Sequence, residues 1–258
     1  LDINDISQLT SNFDLVINLA AQAGVRVPEE KEYLYERTNI RGFESVCDFC
    51  NKRNINKLIY ASSSSVYSDI SKGKFKESST PLVPKSKYGR SKLKNEEFAN
   101  YFSTETNIKM IGLRFFSVYG PYGRPDMAYY LFSESIMNNK PIRLNNDGLM
   151  FRDMTYIDDV VDGIIGSVDF IYSKERTIKN EIFNLGNDRP VSTWELLKIL
   201  EFNLRKKTKI IKIETKNESL FTHANISRAK NLLGYNPKVS LEKGIKKFLN
   251  WYLNYENF

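Results

Sequence analysis

Tyr88 and Lys92 are the two residues whose types and spacing point most directly to chemistry. They stand four positions apart in the segment SKYGRSK at 86–92, and residues four apart share one face of a helix. An ammonium group beside a tyrosine stabilises the phenolate and lowers its pKa from about 10 toward neutrality. We therefore expect Lys92 to lower the pKa of Tyr88, which would make this tyrosine a general base for removing an alcohol proton.

A run of serines upstream gives this pair a context that a lone Tyr-x-x-x-Lys pattern lacks. Residues 57–68 read KLIYASSSSVYS, a predicted buried strand that ends in the serines 62–65. Ligands bind at the carboxyl ends of strands in open α/β sheets, where serine hydroxyls can donate to and accept from a reacting oxygen. A flexible linker is the alternative for a serine run. A run that continues a buried strand and precedes Val66 and Tyr67 fits a linker poorly.

The elements that must position these residues alternate along the first half of the chain. Strands are predicted at 15–20, 57–61 and 109–115, and helices at 36–52 and 86–103. Strands that alternate with helices predict a parallel sheet covered on both faces, which right-handed crossovers make doubly wound. The predicted fold class is therefore α/β, with a Rossmann-like doubly wound parallel sheet.

The pattern changes after about residue 120, at a junction rich in proline and glycine. Shorter elements follow at 127–138, 142–144, 194–203 and 241–255, and Thr193 is the predicted N-cap of the third. We expect residues 1–120 to form the domain that holds the sheet. Residues 121–258 would form a smaller α/β domain, some segments of which return to that sheet.

Composition excludes several classes of protein. The chain has 258 residues, 41% of them apolar, which supports a hydrophobic core and excludes disordered and collagen-like chains. Two cysteines, Cys47 and Cys50, are too few for a disulfide scaffold and are expected to be buried thiols, and a single histidine argues against a zinc site. No stretch approaches the roughly 20 apolar residues of a membrane span. We expect a cytoplasmic protein with no metal and no membrane partner.

The formal net charge of +7 favours anionic partners without choosing among them. Lysines and arginines are scattered, apart from a cluster at 205–216 in which the charges alternate with Ile210, Ile211 and Ile213. This alternation is typical of a solvated strand with one buried face. We expect no nucleic-acid partner, and nucleic-acid binding is the less favoured interpretation of the charge.

Five segments occur in the order in which a known family carries them. They are 17–26 (INLAAQAGVR), 62–68 (SSSSVYS), the pair at 88 and 92, 113–128 (LRFFSVYGPYGRPDMA) and 152–164 (RDMTYIDDVVDGI). Together they resemble the extended short-chain dehydrogenase/reductase family, within its NAD-dependent epimerases and dehydratases of nucleotide sugars. The resemblance covers essentially the whole chain, and its best match is the UDP-glucuronate 4-epimerase branch.

The resemblance implies a reaction with NAD as cofactor. Tyr88 would take the proton of the sugar 4-hydroxyl while NAD accepts hydride from C4, and return of the hydride to the opposite face would invert C4. Lys92 would lower the pKa of Tyr88 and hold the nicotinamide ribose. Ser63 would hydrogen-bond the reacting oxygen.

The resemblance also implies which residues bind the two ligands. The cofactor-binding residues would be Asp2, Ile3, Leu19, Ala20, Ala21, Gln22, Asn39, Tyr88, Lys92 and Phe115. The substrate-binding residues would be Ser64, Ser65, Ser117, Arg124, Arg143, Arg152 and Asn225. Arg152 would meet the UDP diphosphate, and a salt bridge to Asp153 or to another neighbouring residue is the alternative for that arginine.

Two serines separate an epimerase from a dehydratase in this comparison. The 4,6-dehydratases that resemble this chain typically carry Asp-Glu where Ser64 and Ser65 stand, and serines cannot replace those acids in water elimination. Ser64, Ser65, Ser117 and Arg124 suit instead a sugar carboxylate. The expected reaction is therefore the conversion of UDP-glucuronate to UDP-galacturonate. A 4-epimerase of UDP-glucose or UDP-N-acetylglucosamine and an inactive nucleotide-sugar binder stay open as alternatives.

A glycine motif of the family does not occur in this sequence. No G-x-x-G-x-x-G is found, and residues 1–5 match the end of the family's third strand. On the order of 60 residues would then be missing, at about 30 per βαβ unit, together with the turn that seats the pyrophosphate. We expect a truncated member of the family, whose binding of NAD stays open, and a homodimer.

Overall fold

The computed structural model describes the chain at residues 6, 8–25, 27–67, 73–173, 178–214 and 220–256. Within these residues the strands are β1 (Val16–Asn18), β2 (Lys57–Ser63), β3 (Lys109–Phe115), β4 (Ser117–Tyr119), β5 (Ile142–Asn145), β6 (Phe151–Tyr156), β7 (Asn180–Leu185), β8 (Pro190–Ser192) and β9 (Ile210–Ile213). The α-helices are α1 (Gly42–Lys52), α2 (Lys87–Glu105), α3 (Ala128–Met137), α4 (Ile157–Tyr172), α5 (Thr193–Leu204), α6 (Ser227–Leu233) and α7 (Leu241–Tyr255). A π-helical segment, Tyr35–Arg41, leads directly into α1.

The main sheet consists of four parallel strands in the order β1-β2-β3-β7. Its central strands are nearly continuous apolar runs, KLIYASS and KMIGLRF, as expected of parallel strands that are buried on both faces. Leu58 pairs with Met110 and Ile59 with Ile111, so the two runs lie side by side in register. This register brings the carboxyl ends of β2 and β3 to the same edge of the sheet.

Helices cover both faces of this sheet, which confirms the predicted doubly wound α/β fold. Leu58 and Tyr60 of β2 pack with α1 and α2 on one face. Ile59, between them in sequence, packs on the other face with Phe170 of α4 and Ala229 of α6. Adjacent strand residues point to opposite faces, so this alternation forms two cores from one strand.

A separate core lies among the elements that follow residue 120. It is built from α3, α5 and α7 and contains Tyr129, Leu197 and Phe248. Two small sheets accompany it, β4-β6-β8 and β5-β9. Strand β7 lies instead in the main sheet beside β3. The division at residue 120 into two domains stays a prediction.

Several sequence expectations differ from the observed elements in instructive ways. The predicted strand 15–20 ends at Asn18, because the side-chain Oδ1 of Asn18 accepts a hydrogen bond from the Ala20 N–H at 3.1 Å and turns the chain. The N-cap of α5 is Ser192, whose Oγ accepts from the Glu195 N–H, so the Thr193 prediction was wrong by one residue. Thr193 instead donates its hydroxyl to the Met150 carbonyl oxygen at 3.0 Å.

The structure describes residues 205–214 of the cluster at 205–216, and only Ile210–Ile213 of these form a strand. Ile210 and Ile213 of β9 are half-buried, whereas Ile211 is 44% exposed. Within the described residues β9 pairs with β5 alone. A two-stranded ribbon covers little of either face, so the expected single buried face is incomplete.

The expected exclusions can be compared with the described residues. Among them, no helix has the length and apolar character that crossing a membrane requires. The same residues contain no group of three or more His, Cys, Asp or Glu side chains that could hold a metal ion. Cys47 and Cys50 are fully buried free thiols on α1, and burial raises the pKa of Cys50 to about 12. The prediction of buried core thiols is thereby confirmed.

Candidate active site

The serine segment turns sharply where β2 leaves the sheet. Ser63 is the last residue of the strand and is extended, and Ser64–Val66 form a single 3-10 turn. The Ser63 Oγ caps this turn by accepting a hydrogen bond from the Ser65 N–H at 3.1 Å. Ser63 is buried, and Ser64 and Ser65 are half-buried at the rim. A serine thus ends the strand and leaves the next two hydroxyls at its carboxyl edge.

One polar face of helix α2 packs against the end of β2. Ser86 caps the helix by accepting from the Gly89 N–H at 2.9 Å, which places Tyr88 in the first turn. The Tyr88 hydroxyl hydrogen-bonds the Ser63 side chain. One turn later, the Lys92 Nζ donates to the Ala61 carbonyl oxygen at 2.8 Å. The predicted catalytic residues at 63, 88 and 92 are therefore brought together.

A third member of this face, Glu96, was not identified from the sequence. It accepts a hydrogen bond from the Ser62 hydroxyl and holds the Arg114 guanidinium with both oxygens, Nε to Oε1 at 2.9 Å and Nη2 to Oε2 at 2.7 Å. Both side chains are buried. The available signals were the four-residue step from Lys92 to Glu96 and a charged residue inside the apolar strand β3.

The buried pair also links the site to β7, which lies on the other side of β3 from β2. The Arg114 guanidinium lies 4.7 Å from the ring centroid of Tyr67, just beyond the serine turn. The Tyr67 hydroxyl donates to the Asn184 Oδ1 at 2.7 Å, on β7. A continuous series of side-chain contacts therefore connects α2, β3, the segment after β2, and β7.

Asn39 fixes the loop after β1 to the helix that carries Tyr88. Its Oδ1 accepts from the Gln22 N–H at 2.7 Å, and its Nδ2 donates to the Gln22 carbonyl oxygen at 3.1 Å and to the Ser91 Oγ at 2.9 Å. The Ser91 hydroxyl in turn donates to the Tyr88 carbonyl oxygen at 2.8 Å. Asn39 is 1% exposed. Its amide is engaged by Gln22 and Ser91, and the expected role of Asn39 in binding the cofactor stays a prediction.

The protonation of Tyr88 differs from the expectation. Its pKa is raised, because burial outweighs the hydrogen bond from Ser63 and the positive charge of Arg124, both of which lower it. Lys92 is not among the causes of the shift: its ammonium lies 6.0 Å from the Tyr88 ring centroid and is bound to Ala61. Burial lowers the pKa of Lys92 itself to about 8. The expected lowering of the Tyr88 pKa by Lys92 was wrong for this structure.

Arg124 reaches the same region from the loop that follows β4. Its Nε donates to the Asp126 Oδ1 at 2.9 Å, and its Nη2 binds the other oxygen of that carboxylate. A Cβ built on Gly24 would lie 2.8 Å from the Arg124 Nη2, so the guanidinium lies against the loop after β1. Tyr35 donates its hydroxyl to the Gly24 carbonyl oxygen at 2.7 Å, and its ring centroid is 6.3 Å from that of Tyr88.

The remaining predicted substrate residues lie on other elements. Ser117 begins β4, two residues after the end of β3, and is half-buried at the same edge. Arg143 is exposed on β5, and the Arg152 Nη1 on β6 donates to the Phe151 carbonyl oxygen at 3.0 Å. Asn225 accepts the Ser227 N–H with its Oδ1 at 3.0 Å, at the start of α6. Their contacts with a nucleotide stay predictions.

Asp153, one of the alternative partners expected for Arg152, holds backbone N–H groups with its carboxylate. The buried Asp153 carboxylate accepts backbone N–H bonds from Asn187, Asp188 and Ala224, at 2.6 to 3.1 Å. These three donors join the turn after β7 and the segment before α6 to β6. Asp153 is therefore an anchor of the backbone around this side of the site.

Comparison with known proteins identifies the family. The model of the family described as "NAD dependent epimerase/dehydratase family" matches residues 1–186. The chain belongs to this family. UDP-glucuronate 4-epimerase 3 of Arabidopsis thaliana is 41% identical over 274 residues, which cover 99% of the chain and 64% of the plant protein. An uncharacterized protein of Methanocaldococcus jannaschii is 42% identical over 261 residues, which cover 98% of the chain and 78% of that protein.

A solved structure gives the same result for this NAD dependent epimerase/dehydratase family member. The UDP-glucuronic acid 4-epimerase of Bacillus cereus, in complex with UDP-glucuronic acid and NAD, superposes with a TM-score of 0.90 at 32% identity. The match covers 99% of the present chain and 81% of the Bacillus chain. The resemblance and the Rossmann-like fold predicted from the sequence are confirmed. The family is one of NAD-dependent enzymes.

The described residues at the carboxyl ends of the strands fit part of an NAD site. Asp2 and Ile3, assigned to the adenine by resemblance, lie outside the described residues. Six further residues that the resemblance assigns to the cofactor border the carboxyl ends of β1, β2 and β3, and they are Leu19, Ala20, Ala21, Gln22, Lys92 and Phe115. The Lys92 ammonium has three hydrogens and gives one to Ala61, so ribose hydroxyls can accept the others.

Lys92 generates a prediction about stability and pH. The folded state holds this lysine with a pKa of about 8, below the ordinary 10.5, so burying its charge destabilises the protein at pH 7. As pH rises from 8 to 10.5 the folded state loses the proton before the unfolded state does, and the destabilisation is relieved. We expect the stability of Lys92→Met relative to the native protein to fall by up to about 3 kcal/mol across this range.

Urea denaturation at pH 7, 8, 9 and 10.5 measures this change. Lys94→Met, an exposed lysine of the same helix, is the matched control for the loss of a charge. A constant difference between Lys92→Met and the native protein at all four pH values would contradict the lowered pKa.

Gly89 generates a prediction about the contact between α2 and the serine turn. A Cβ at this position would overlap the Ser65 carbonyl oxygen and lie 2.9 Å from the Pro84 Cβ, so the backbone would have to shift. We expect Gly89→Ala to lower the free energy of unfolding by about 1–3 kcal/mol.

The matched control is Gly42→Ala, also at a helical glycine. Its Cβ would lie 3.6 Å from the Arg37 carbonyl oxygen, an ordinary contact, so we expect it to be neutral or to stabilise by up to about 1 kcal/mol. Equal effects of the two substitutions in urea denaturation would show that the close approach at Gly89 is unimportant.

The buried Glu96–Arg114 pair generates a third prediction. Arg114→Met leaves the Glu96 carboxylate buried without its partner, which costs about 3–5 kcal/mol of unfolding free energy. Adding Glu96→Met to that variant removes the unpaired charge, so the double variant is expected to be more stable than Arg114→Met alone. Additive losses in the double-mutant cycle would refute the coupling.

Proposed function

We propose that this protein interconverts UDP-glucuronate and UDP-galacturonate by NAD-dependent epimerisation at C4. The observation that carries the proposal is the hydrogen bond between Tyr88 and Ser63, with Lys92 on the same helix face and Arg124 beside it. The names of the plant and Bacillus relatives support the choice of sugar. The chain spans 64% of the plant relative's length, so the activity of the whole plant protein is a proposal for this chain.

Tyr88 is the group that moves the proton. Its phenolate accepts the proton of the 4-hydroxyl as C4 is oxidised and returns it when C4 is reduced, so no net proton is consumed. NAD, when bound, supplies the reversible hydride acceptor for C4. Since burial raises the pKa of Tyr88, the Ser63 hydrogen bond and the Arg124 charge are what favour its ionised form. Ser63 is also proposed to hydrogen-bond the reacting oxygen.

A carboxylate site is proposed at the rim of the serine turn. Ser64, Ser65 and Ser117 present hydroxyls at the carboxyl edge of β2 and β3, and Arg124 presents a guanidinium. Hydrogen bonds from such donors to an ionised group are stronger than those between neutral groups. A 4-keto uronate is a β-keto acid that readily loses CO2. Holding its carboxylate in place therefore protects the intermediate as well as selecting the substrate.

The nucleotide half of the substrate is assigned to more distant residues. Arg152 is proposed to meet the diphosphate, because a guanidinium presents paired donors to phosphate oxygens. Arg143 and Asn225 are proposed to contact the uridine. A homodimer, expected from the resemblance, is a proposal that analytical ultracentrifugation tests.

A neutral UDP-sugar, such as UDP-glucose or UDP-N-acetylglucosamine, is the second candidate substrate. One observation favours it: the Arg124 guanidinium is already bound to the Asp126 carboxylate and therefore does not require a carboxylate from the sugar. Competition between UDP-glucuronate and UDP-glucose for the same site separates the two candidates. Stronger competition by UDP-glucuronate favours the uronate.

The proposal is tested by incubating the protein with NAD and UDP-glucuronate and following the sugar by NMR. We expect UDP-galacturonate to accumulate to an equilibrium mixture. The reverse reaction, started from UDP-galacturonate, must reach the same mixture. Turnover of UDP-glucose without turnover of UDP-glucuronate would overturn the assignment of the substrate.

Tyr88→Phe generates the prediction for the mechanism. Removing the hydroxyl removes the proton acceptor, so kcat is expected to fall by about 10²–10⁴-fold. Binding of UDP-glucuronate, measured by calorimetry, is expected to persist, because the proposed carboxylate and diphosphate contacts remain. Native turnover in this variant would rule out Tyr88 as the base.

A further inference from the structure

The Arg124–Asp126 pair has the geometry of a carboxylate held by a guanidinium. The Nε of Arg124 donates to Oδ1 at 2.9 Å, and the Nη2 binds Oδ2, so two donors meet two oxygens. This two-point arrangement is the one by which arginines recognise carboxylates in general. The Asp126 carboxylate thus occupies the donors that the proposed function assigns to the sugar carboxylate.

The pair lies on an accessible loop and is open to exchange. The two side chains are 42% and 58% exposed, and the loop lies between β4 and α3. Exposed ion pairs contribute about 0.2–1 kcal/mol, so a competing carboxylate can displace Asp126 at small cost. The guanidinium also lies against Gly24 and near Tyr88, so it need not leave its place to meet a sugar at the site.

We propose that Asp126 is a specificity-determining residue: an internal carboxylate that competes with the sugar carboxylate for Arg124. This inference rests on the proposed function. An acidic sugar must displace Asp126, whereas a neutral sugar leaves the Arg124–Asp126 pair intact. Asp126 therefore weakens the binding of UDP-glucuronate relative to that of UDP-glucose.

The opposite role, in which Asp126 holds Arg124 in position for the sugar, predicts the opposite change. Removing the aspartate would then release Arg124 and weaken the binding of the acidic sugar. The sign of the change in selectivity distinguishes competition from positioning.

The experiment measures Kd for UDP-glucuronate and for UDP-glucose by calorimetry, on the full chain in the presence of NAD. For Asp126→Asn we expect the ratio of the two Kd values to shift toward UDP-glucuronate by roughly two- to fivefold, the value of one exposed ion pair. The shift is expected to shrink in 0.5 M salt, because exposed charges are screened. Asp126→Ala is the second variant, since an asparagine oxygen can still accept a bond from Arg124.

Asp158→Asn is the matched control. Asp158 forms an exposed ion pair with Lys247 at 3.1 Å, and its side chain is 62% exposed, close to the value for Asp126. Removing this pair changes the charge of the protein by the same amount on another surface. We expect no change in the selectivity ratio.

The outcomes separate this inference from the function on which it rests. A ratio that shifts toward UDP-glucose, or does not move, in both Asp126 variants overturns the inference. Arg124→Met tests the carboxylate site itself: if it does not shift the ratio toward UDP-glucose, the assignment of Arg124 fails and the inference with it. If Arg124→Met shifts the ratio and the Asp126 variants do not, the inference alone fails. In the Arg124→Met background, Asp126→Asn is expected to have no effect on the ratio.

Discussion

The packing of α2 against the end of β2 is the constraint on which the site depends. Three consecutive residues of the strand, 61–63, are each hydrogen-bonded by a residue of the helix, and those helix residues are four apart. The contact is possible because Gly89 lets the helix approach the serine turn. It places a buried lysine ammonium and a half-buried tyrosine side chain at the end of the strand. The packing of the helix on the strand thus keeps these polar groups in place, although burying a polar group costs free energy.

Some of the charged groups buried around this contact are neutralised by a partner of opposite charge, and others are not. Glu96 and Arg114 neutralise each other within the core. Lys92 has no such partner among the causes of its shift, and its pKa is lowered. Tyr88 depends on Ser63 and on Arg124, a residue of a surface loop. The pKa of the proposed base is therefore lowered by the same arginine that is proposed to bind the sugar carboxylate.

Much of this arrangement could be predicted from the sequence. The parts that could not be predicted all depend on contacts between distant segments. Periodicity predicted β3, the final helix and most of α2. The four-residue spacing predicted that Tyr88 and Lys92 share a helix face, and the family resemblance singled out Ser63 from the serine run. The prediction for the Tyr88 pKa failed because the effect of Lys92 depends on where its ammonium lies, and that ammonium is bound to the Ala61 carbonyl oxygen. The contacts of Lys92 with Ala61, of Asn39 with Gln22 and of Glu96 with Arg114 join elements distant in sequence, and no local pattern records them.

The central claim is that hydride leaves C4 of a UDP-uronate and returns to the same carbon while Tyr88 carries the proton. UDP-glucuronate labelled with deuterium at C4 tests it most directly, when it is incubated in ordinary water with NAD and the protein. The account predicts UDP-galacturonate that retains deuterium at C4, observed by NMR. Product in which solvent hydrogen has replaced the label at C4, or the absence of epimerised product, would contradict it.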